Sequence, residues 1–379
     1  MPLPAEPLYV PAILTRHHEL RALRDVSAGS RRIIQPLFVV APPAWDFVGD
    51  APLVSPAEHL RAVPDLLAPI WRGTALVDLR HVGHDVVMPD GTPGVVWLAQ
   101  ACQAQGLTVR PVLPGSVLGG GPASDALPQF AEVASWDGRG LAIRLERDEW
   151  PSVVGPRALQ RLIQAAGLQP SECDLLLDLG EEPAHDPVAA ADLVRYELAT
   201  VPSARDWRSV VVLATSRPAD RSGRRRRGPR HEWLLHQQLV ATGELPGAAF
   251  GDYALGHPDP FADLDSVGGM PESIQYTTAA SWLSVPRTPT ITAVATDVPG
   301  VVGSSHPDLT LPTMAVRVRG DREFRAGHCA FERLIEDMVA SRHEPIGPPT
   351  LRRLATHHHF ELVAEQLLAL HDTVRRRIG

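Results

Sequence analysis

Eight short apolar segments alternate with helical patterns over residues 8–255, and this alternation constrains the fold more than any other feature of the sequence. Each segment is rich in Val, Ile and Leu and ends at Gly, Pro or a polar cluster. The segments span 8–14, 33–40, 74–80, 108–114, 140–146, 173–180, 209–216 and 248–255. Seven helical patterns lie between them, and such alternation predicts a parallel sheet with right-handed crossovers.

Eight strand–helix units of this total length have the size of a (β/α)8 barrel. A doubly wound open sheet is the alternative, but it requires a Gly-rich dinucleotide turn after an early strand, and the sequence has none. We therefore predict an α/β fold with a TIM-like (β/α)8 barrel over 1–256. Residues 257–379 are predicted to form an α+β extension packed on the barrel. Its β-like runs are 274–285, 289–298 and 311–320, and its helical runs are 329–342 and 359–377.

The 379 residues include no lysine, so all 36 basic side chains other than histidine are arginines. Schiff-base aldolases, pyridoxal-phosphate enzymes and Walker-type nucleotide sites depend on a lysine amine. The sequence therefore argues against these classes unless another group replaces the amine. Arginine favours planar, bidentate contacts to carboxylate or phosphate. The net charge of −8 provides no overall basic field toward nucleic acid or membranes.

The cysteines and apolar runs predict a cytoplasmic protein without a membrane partner. Cys102, Cys173 and Cys329 are isolated and odd in number, which argues against a disulfide scaffold or a zinc ribbon. The longest apolar runs have the length of strands, well short of a membrane span. The N-terminal segment has neither a basic region nor a small-residue cleavage site.

Charged residues follow the predicted strands at their carboxyl ends, which is where barrels of this kind place their active sites. Alternate residues of a strand share a face, so the pairs at positions 78 and 80 and at 144 and 146 each point the same way. The strand-end residues are Asp78, Arg80, Arg144, Glu146, Asp178, Asp252 and Tyr253. This set indicates either a binding or acid–base site, or paired charges that fill the barrel for structural reasons.

Metal and nucleic-acid sites receive less support. His81, His84 and Asp85 have a spacing compatible with metal ligation, but such spacing is common by chance. No cofactor is predicted, and a divalent metal is the less favoured alternative. The arginine run 224–227 is typical of a solvated loop, with contact to nucleic-acid phosphates as the alternative.

Several sequence blocks resemble the beta protein family, which is named for a protein of phage T4. They are "YVPAILTRHHELRAL", "RHEWLLHQQL", "FGDYALGHPD", "IQYTTAASWLSVPR" and "HHFELVAEQL". The resemblance implies a barrel fold and a phage or defence context, and it implies no particular reaction. It carries over the residues Glu19, Arg230, Glu232, Asp252, Tyr253, Tyr276, Arg287, His358 and His359. Arg16 stands where such proteins usually have a lysine, and "AFERLIED" stands where a Gly-Asp block is expected.

Two hypotheses for function follow. The first is a barrel that binds an anionic or peptide ligand at its mouth, with a phage or host protein as a further partner. Its binding residues are Arg16, Glu19, Asp78, Arg80, Arg144, Arg230, Glu232, Tyr253, Tyr276, Arg287 and His358. The alternative is a hydrolase or transferase, in which arginines hold the substrate. Its catalytic residues are Asp252, Asp178 and Glu146 as acid or base and His359 as proton carrier.

Three consecutive histidines at 357–359 precede the final amphipathic pattern. Consecutive helical residues point about 100° apart, so one helix cannot direct all three at one metal ion. We predict that Thr356 caps the helix and that the histidines lie in its first turn. In that arrangement His359 faces the barrel, whereas His358 points away from the apolar stripe that includes Phe360.

Overall fold

The barrel is closed and entirely parallel in a computed structural model of the protein. The structure describes residues 7–46, 48–119, 125–181, 186–201, 203–217, 226–241, 248–260, 273–286, 310–342 and 346–378. The barrel strands are β1 (Tyr9–Leu14), β2 (Leu37–Val39), β5 (Gly73–Asp78), β6 (Leu107–Pro114), β7 (Leu141–Leu145), β8 (Cys173–Glu181), β9 (Ser209–Thr215) and β11 (Ala248–Asp252). Their order around the barrel is β1-β11-β9-β8-β7-β6-β5-β2. The predicted (β/α)8 fold is confirmed.

Helices connect successive barrel strands and cover the outside of the barrel. They are α1 (His17–Arg24), α2 (Ala28–Arg31), α3 (Pro56–Leu67), α4 (Gly94–Ala104), α5 (Leu127–Ser135), α6 (Pro151–Val154), α7 (Pro156–Ala165), α8 (Pro187–Thr200) and α9 (His231–Ala241). Helix α3 begins with Pro56 in its first turn, and the Ser55 side chain caps it by accepting a hydrogen bond from Glu58 N at 3.2 Å. A small hairpin of β3 (Trp45–Asp46) and β4 (Ala51–Pro52) precedes it.

The barrel strands are apolar on both faces because each is covered on both sides. All seven residues of β9, "SVVVLAT", are buried. Val211 and Leu213 belong to the inner layer, whereas Val210 and Val212 pack toward the surrounding helices. Two buried faces explain why the strands appear in the sequence as continuous apolar runs rather than as alternating ones.

The N-terminal end of the barrel is closed by charges around Asp174, the second residue of β8. Its carboxylate accepts hydrogen bonds from Arg110 at 2.7 Å, from Arg208 at 2.8 and 2.9 Å, and from the Ser209 hydroxyl at 2.7 Å. Gly140 turns the chain into β7 with φ +71°, and a Cβ there would lie 1.9 Å from the carbonyl oxygen of Glu172. This end of the barrel is therefore a packed structural closure.

The C-terminal part has its own apolar core and two strands of a small sheet, whose third strand comes from the segment before residue 256. Strands β10 (Arg226–Pro229), β12 (Ser273–Thr277) and β13 (Ser281–Pro286) form an antiparallel sheet in the order β10-β13-β12. Helices α10 (Leu311–Arg319) and α11 (Ala330–Val339) pack with it and with part of α12 (Pro348–Ile378). The predicted run 274–285 is a hairpin, and 329–342 contains a helix as predicted. The run 289–298 lies outside the described residues, and the boundary at 256 stays a prediction.

The prediction of a β-like run at 311–320 is wrong, because these residues form α10. Thr310 caps the helix by accepting a hydrogen bond from Thr313 N at 3.4 Å, and Pro312 lies in its first turn. Met314, Ala315 and Val318 are buried together, a spacing that belongs to a helix rather than a strand. The apolar run in 311–320 is too short for its helical period to be distinguished from a strand pattern.

The prediction that Thr356 caps the last helix is also wrong. Helix α12 has 31 residues and begins at Pro348, so the three histidines lie more than two turns inside it. Thr356 is an interior residue whose hydroxyl donates to the carbonyl oxygen of Arg352 at 2.9 Å. Prolines are tolerated in the first turn of a helix, where their missing N–H costs nothing. In the described part of the chain, no helix has the length and apolar character needed to cross a lipid bilayer.

Candidate functional site

A buried arginine joins two carboxylates at the C-terminal mouth of the barrel. Arg144, the fourth residue of β7, is 2% exposed. Its Nε and Nη2 donate to Asp178 Oδ2 at 2.9 and 2.7 Å, and its Nη1 donates to Asp78 Oδ2 at 2.7 Å. The Tyr253 hydroxyl lies 2.7 Å from both carboxylate oxygens of Asp178. Strands β5, β7 and β8 and the end of β11 thus bring four predicted residues together.

The charges in this network favour an ionised Asp78 and a neutral Tyr253. Burial opposes the charge of Asp78, but the ring of His84, whose Nε2 lies 3.9 Å from Asp78 Oδ1, and the charges of Arg144 and Arg80 hold the pKa of that carboxyl well below its usual value. Burial and the charge of Asp178 raise the pKa of Tyr253 well above its usual value. The carboxyl group of Asp78 is therefore ionised and the phenol is neutral near pH 7, so the network holds a fixed charge pattern.

Arg80 lies above this network at the rim of the mouth. Its guanidinium contacts the exposed carboxylate of Glu146 and lies 3.6 Å from Asp78 Oδ2 and 3.8 Å from Asp178 Oδ2. Only 18% of the Arg80 side chain is exposed. The two strand-end pairs predicted from the sequence thus meet in space, with Arg80 as the link between the buried carboxylates and the surface.

A small recess opens to solvent at this mouth. Its described lining is Ala12, Leu14, Val39, Arg80, His81, Arg144, Tyr253, Gly256, His257 and Pro258. The polar members of this lining are two arginines, two histidines and a tyrosine, with no carboxylate among the described residues. Asp78 and Asp178 lie behind the arginines and accept the hydrogen bonds of Arg144 and Tyr253, so Arg80 is the charged group of the recess that lies nearest to solvent.

His81 is the least satisfied of these lining groups. Its Nε2 is buried and has no hydrogen-bond partner among the described residues. Burial and the neighbouring charge of Arg80 lower the pKa of His81 to about 4, so the ring is neutral near pH 7. His257, on the other side of the recess, has its Nε2 3.4 Å from Glu181 Oε2.

Asp252 and His359 lie away from the recess, in a contact between β11 and α12 that we call the polar joint, formed by Tyr9, Asp252, Thr277 and His359. Asp252 Oδ2 accepts from His359 Nε2 at 2.8 Å, and Oδ1 accepts from the Tyr9 hydroxyl at 2.8 Å. His359 Nδ1 lies 3.1 Å from the Thr277 hydroxyl. Each of these side chains is at most 1% exposed. The expectation that His359 reaches the barrel is confirmed.

The polar joint holds its histidine in the neutral form. Burial lowers the pKa of His359 despite the opposing charge of Asp252. Burial disfavours the charge of Asp252, but His359, the Ala254 N–H and Tyr9 together lower the pKa of that carboxyl. The indole of Trp282 stacks on the His359 ring with centroids 5.1 Å apart. The joint is consequently a closed hydrogen-bonded unit without contact with solvent.

Arg230 and Glu232 lie next to the joint. Arg230 is completely buried and donates to the Thr278 carbonyl at 3.2 Å and to Gln366 Oε1 at 2.8 Å. Its guanidinium lies over the rings of Trp233 and Trp282, at 5.6 Å from each centroid. Glu232 Oε2 accepts from the backbone N–H of Ser216 at 3.1 Å and also contacts its hydroxyl. Both residues connect the end of β9 with the C-terminal sheet and α12.

Tyr276 and His358 belong to a third group, which lies inside the apolar core of the C-terminal part. We call this core the second core. The Tyr276 hydroxyl donates to Glu332 Oε1 at 3.0 Å, and its ring stacks on His358 with centroids 4.4 Å apart. His358 Nε2 donates to the Thr277 carbonyl at 2.7 Å. His358 points away from the stripe that includes Phe360, as predicted, but it is 0% exposed because its ring packs against Tyr276 and Phe331. Helix α12 is buried on two sides. The apolar stripe that includes Phe360 indicates only the side that faces the barrel.

The other predicted residues lie apart from these groups. Arg16 Nη2 donates to the Pro260 carbonyl at 2.6 Å, and the buried Glu19 lies 3.7 Å from His18 Nε2. Arg287, Arg224 and Arg225 lie outside the described residues. Arg227 is part of β10, and its guanidinium pairs with Asp321 at 2.6 Å and with Glu323. The prediction of a loop is therefore wrong at Arg227, which lies in a strand; the residue is exposed, as predicted, and its charge is paired within the chain.

Sequence reasoning missed several members of these groups. Tyr9 in the polar joint and Glu332 and Cys329 in the second core were not singled out, although "CAFE" places a cysteine three residues before a glutamate. That spacing is a helix start, and here the Cys329 and Glu332 side chains form a reciprocal cap on α11. Only the long-range pairing with α12 reveals that the cap also meets a histidine.

The comparison with protein families concerns almost the whole chain. A model of the Beta protein family matches residues 9–365. The chain belongs to the Beta protein family. The matched part includes every barrel strand, the polar joint and the second-core cluster of this Beta protein family member. No curated protein matches the chain.

Proposed function

We propose that this Beta protein family barrel binds a small ligand through one anionic group, a carboxylate or a phosphate, in the recess at its mouth. The observation that carries the proposal is the lining of the recess, whose described polar members are Arg80, His81, Arg144, Tyr253 and His257, with no carboxylate among the described lining residues. A concave site with a few convergent polar groups is the usual form of a ligand site.

Arg80 is the residue best suited to hold the anion. Its present partner at the surface, Glu146, has a side chain that is 49% exposed. An incoming carboxylate or phosphate has the same charge as Glu146 and accepts the same guanidinium fork. Arg144 contributes positive charge from below, while Asp78 and Asp178 hold it in place. The neutral ring of His81 supplies a further polar contact through Nε2.

The size of the recess restricts the ligand. The enclosed space of the recess has room for little more than one water-sized group, so it takes a single carboxylate or phosphate at the end of a ligand rather than a whole small molecule. A peptide fits this proposal through its C-terminal carboxylate. The phage or defence context implied by the family resemblance makes extracts of phage-infected cells the first source in which to identify the natural ligand.

Isothermal titration calorimetry tests the proposal with inorganic phosphate, acetate and two octapeptides that differ only in a free or an amidated C-terminus. We expect binding of an anionic probe that weakens about tenfold or more in Arg80→Met, since hydrogen bonds to charged groups contribute about 1.5–3 kcal/mol. Arg161→Met, on the exposed surface of α7, is the matched control and leaves the affinity unchanged. Equal affinity in both variants, or no binding of any probe, contradicts the proposal.

The hydrolase or transferase alternative is distinguished in the same experiment by analysing the probes for turnover. Asp252 and His359 do not line the recess, so a reaction in the recess would depend on nearer groups. Glu146 and Asp178 remain the acid–base candidates predicted there. Turnover that is lost in Glu146→Gln and retained in Arg161→Met favours an enzyme over a binding protein.

A further inference from the structure

Three side chains of different chemistry meet in the second core, between α11 and α12. Cys329 Sγ lies 3.0 Å from Glu332 Oε2, and His358 Nδ1 lies 2.7 Å from Glu332 Oε1. One donor atom from each of the three residues lies within 4.8 Å of the other two. The exposed fractions are 8% for the cysteine and 0% for the other two residues. This group lies outside the recess and outside the polar joint.

The tautomer of His358 is fixed by its surroundings. Its Nε2 lies 2.7 Å from the carbonyl oxygen of Thr277, which only accepts hydrogen bonds, so Nε2 carries the proton. In the neutral ring Nδ1 then has a lone pair, and this lone pair belongs to a completely buried atom. Two acceptors, Nδ1 and Glu332 Oε1, therefore face each other at close range.

A hydrogen bond does not join these two atoms. Nδ1 and Oε1 are 2.7 Å apart, yet Nδ1 has no hydrogen-bond partner among the described residues. Two ligand atoms of one metal ion are close together in this way, because each points at the ion rather than at the other. The short, unbonded approach is the observation that points to a cation.

The orientation of His358 matches that of a metal-bound histidine. Such histidines almost always donate their second ring N–H to a carboxylate, a backbone carbonyl or water, which fixes the tautomer and the ring direction. The bond from His358 Nε2 to the Thr277 carbonyl has this form. The Tyr276 hydroxyl likewise donates to Glu332 and leaves that carboxylate oriented toward the ring.

We propose that Cys329, Glu332 and His358 bind one divalent metal ion of the zinc class, which ties α11 to α12. A thiolate, an imidazole and a carboxylate together suit Zn²⁺ and Co²⁺, whereas Mg²⁺ and Ca²⁺ take oxygen ligands. On binding, the Cys329 thiol loses its proton to solvent and forms the metal–sulfur bond. Glu332 binds as a carboxylate, and His358 binds through the Nδ1 lone pair while keeping its Nε2 proton. One proton is released for each metal ion bound.

His328 stands beside the three donors. Its ring meets that of His358 edge-on with centroids 5.6 Å apart, and its Nε2 is buried without a partner among the described residues. We assign it no bond to the ion. Because its ring contacts that of His358, a substitution at His328 is expected to leave the sulfur ligand in place.

The test uses the full-length protein, treated with a chelator and then titrated with Co²⁺ alone. We expect one equivalent of bound Co²⁺, the intense near-ultraviolet charge-transfer band of a cobalt–thiolate bond, and release of one proton. Because the band reports sulfur ligation in the unmodified protein, the outcome does not depend on whether a variant folds. Absence of stoichiometric Co²⁺ binding, or binding without the thiolate band, overturns the proposal.

Matched variants locate the site. We expect Cys329→Ser to lose the thiolate band and His358→Gln to lose the bound ion. Cys102→Ala, which changes another buried cysteine on α4, and His357→Gln, which changes the preceding histidine on α12, keep both. A band that persists in Cys329→Ser, or that disappears equally in Cys102→Ala, overturns the assignment. None of these residues lines the recess, so the result is independent of ligand binding there.

Discussion

His359 Nε2 donates to Asp252 Oδ2 over 2.8 Å, and this bond joins the last helix of the chain to the last strand of the barrel. Both side chains are 0% exposed, and neither has access to solvent. A carboxylate in such surroundings requires hydrogen bonds to remain charged. Tyr9, Ala254 N and His359 supply them, so the bond is part of what holds α12 on the barrel.

The change His359→Gln tests the contribution of the polar joint. It removes the ring that stacks on Trp282 and shortens the reach toward Asp252, and hydrogen bonds to buried charged groups are costly to lose. We expect the free energy of unfolding to fall by about 2–4 kcal/mol in urea denaturation. His371→Gln, near the end of the same helix, is the control and changes it by at most about 0.5 kcal/mol. Similar losses in both variants contradict the role of the joint.

The stability of the protein should decrease as the pH falls below about 6.5, in part because of His236. Burial on α9 lowers the pKa of this histidine from 6.5 to about 4. Between these two values the unfolded chain takes up a proton that the folded protein does not, so acid favours unfolding. The full shift corresponds to about 3 kcal/mol, reached near pH 4.

The variant His236→Leu checks the origin of that pH dependence. We expect its stability, relative to the wild type, to rise as the pH is lowered, because the leucine has no proton to take up in the unfolded state. Denaturant titrations at about pH 7 and about pH 4.5 measure this difference. A difference that is the same at both pH values rules out His236 as a source.

Arg144→Met should destabilise the protein strongly, whatever the recess binds. The substitution leaves the carboxylates of Asp78 and Asp178 buried without their shared cation, and breaking a buried charge pair in this way costs about 3–5 kcal/mol. Chemical denaturation measures the loss. Arg161→Met, an exposed arginine-to-methionine change on α7, should stay within about 0.5 kcal/mol of the wild type.

Gly140→Ala should cost more than another glycine-to-alanine change with a similar backbone conformation. Gly106 has φ +83° and open space around the added Cβ, so alanine there pays only the left-handed strain of about 1–2 kcal/mol. At Gly140 the Cβ would also meet the Glu172 carbonyl oxygen at 1.9 Å. We expect at least about 2 kcal/mol of additional loss in urea denaturation. If both variants lose the same free energy of unfolding, the turn into β7 moves to accommodate the Cβ and the prediction is wrong.

The barrel was predictable because its strands are buried on both faces and its helices carry clear start signals. Runs such as "SVVVLAT" and caps such as Ser55 are local, and local patterns survive in the sequence. The assembly of Asp78, Arg144 and Asp178 was likewise predictable from strand ends, since parallel strands bring their carboxyl ends to one mouth.

The C-terminal part was less predictable because its arrangement depends on long-range packing. Helix α10 carries a short apolar run that suits a strand or a helix equally well. The start of α12 was hidden because Pro348 and Pro349 suggest a break, whereas prolines fit the first turn of a helix. The approach of Glu332 to His358 joins positions 26 apart in sequence, and no periodicity encodes it.

The adjacent rings of His358 and His359 determine the rotational phase of α12. About 100° of rotation separates them around the helix axis, and one ring faces the second core while the other faces the barrel. Turning the helix to improve one contact would withdraw the other ring from its pocket. The rotation of α12 is thus fixed by one contact with the barrel and one with the second core. Unfolding of either side should remove the support of the other, so we expect the barrel and the C-terminal part to unfold in a single cooperative transition.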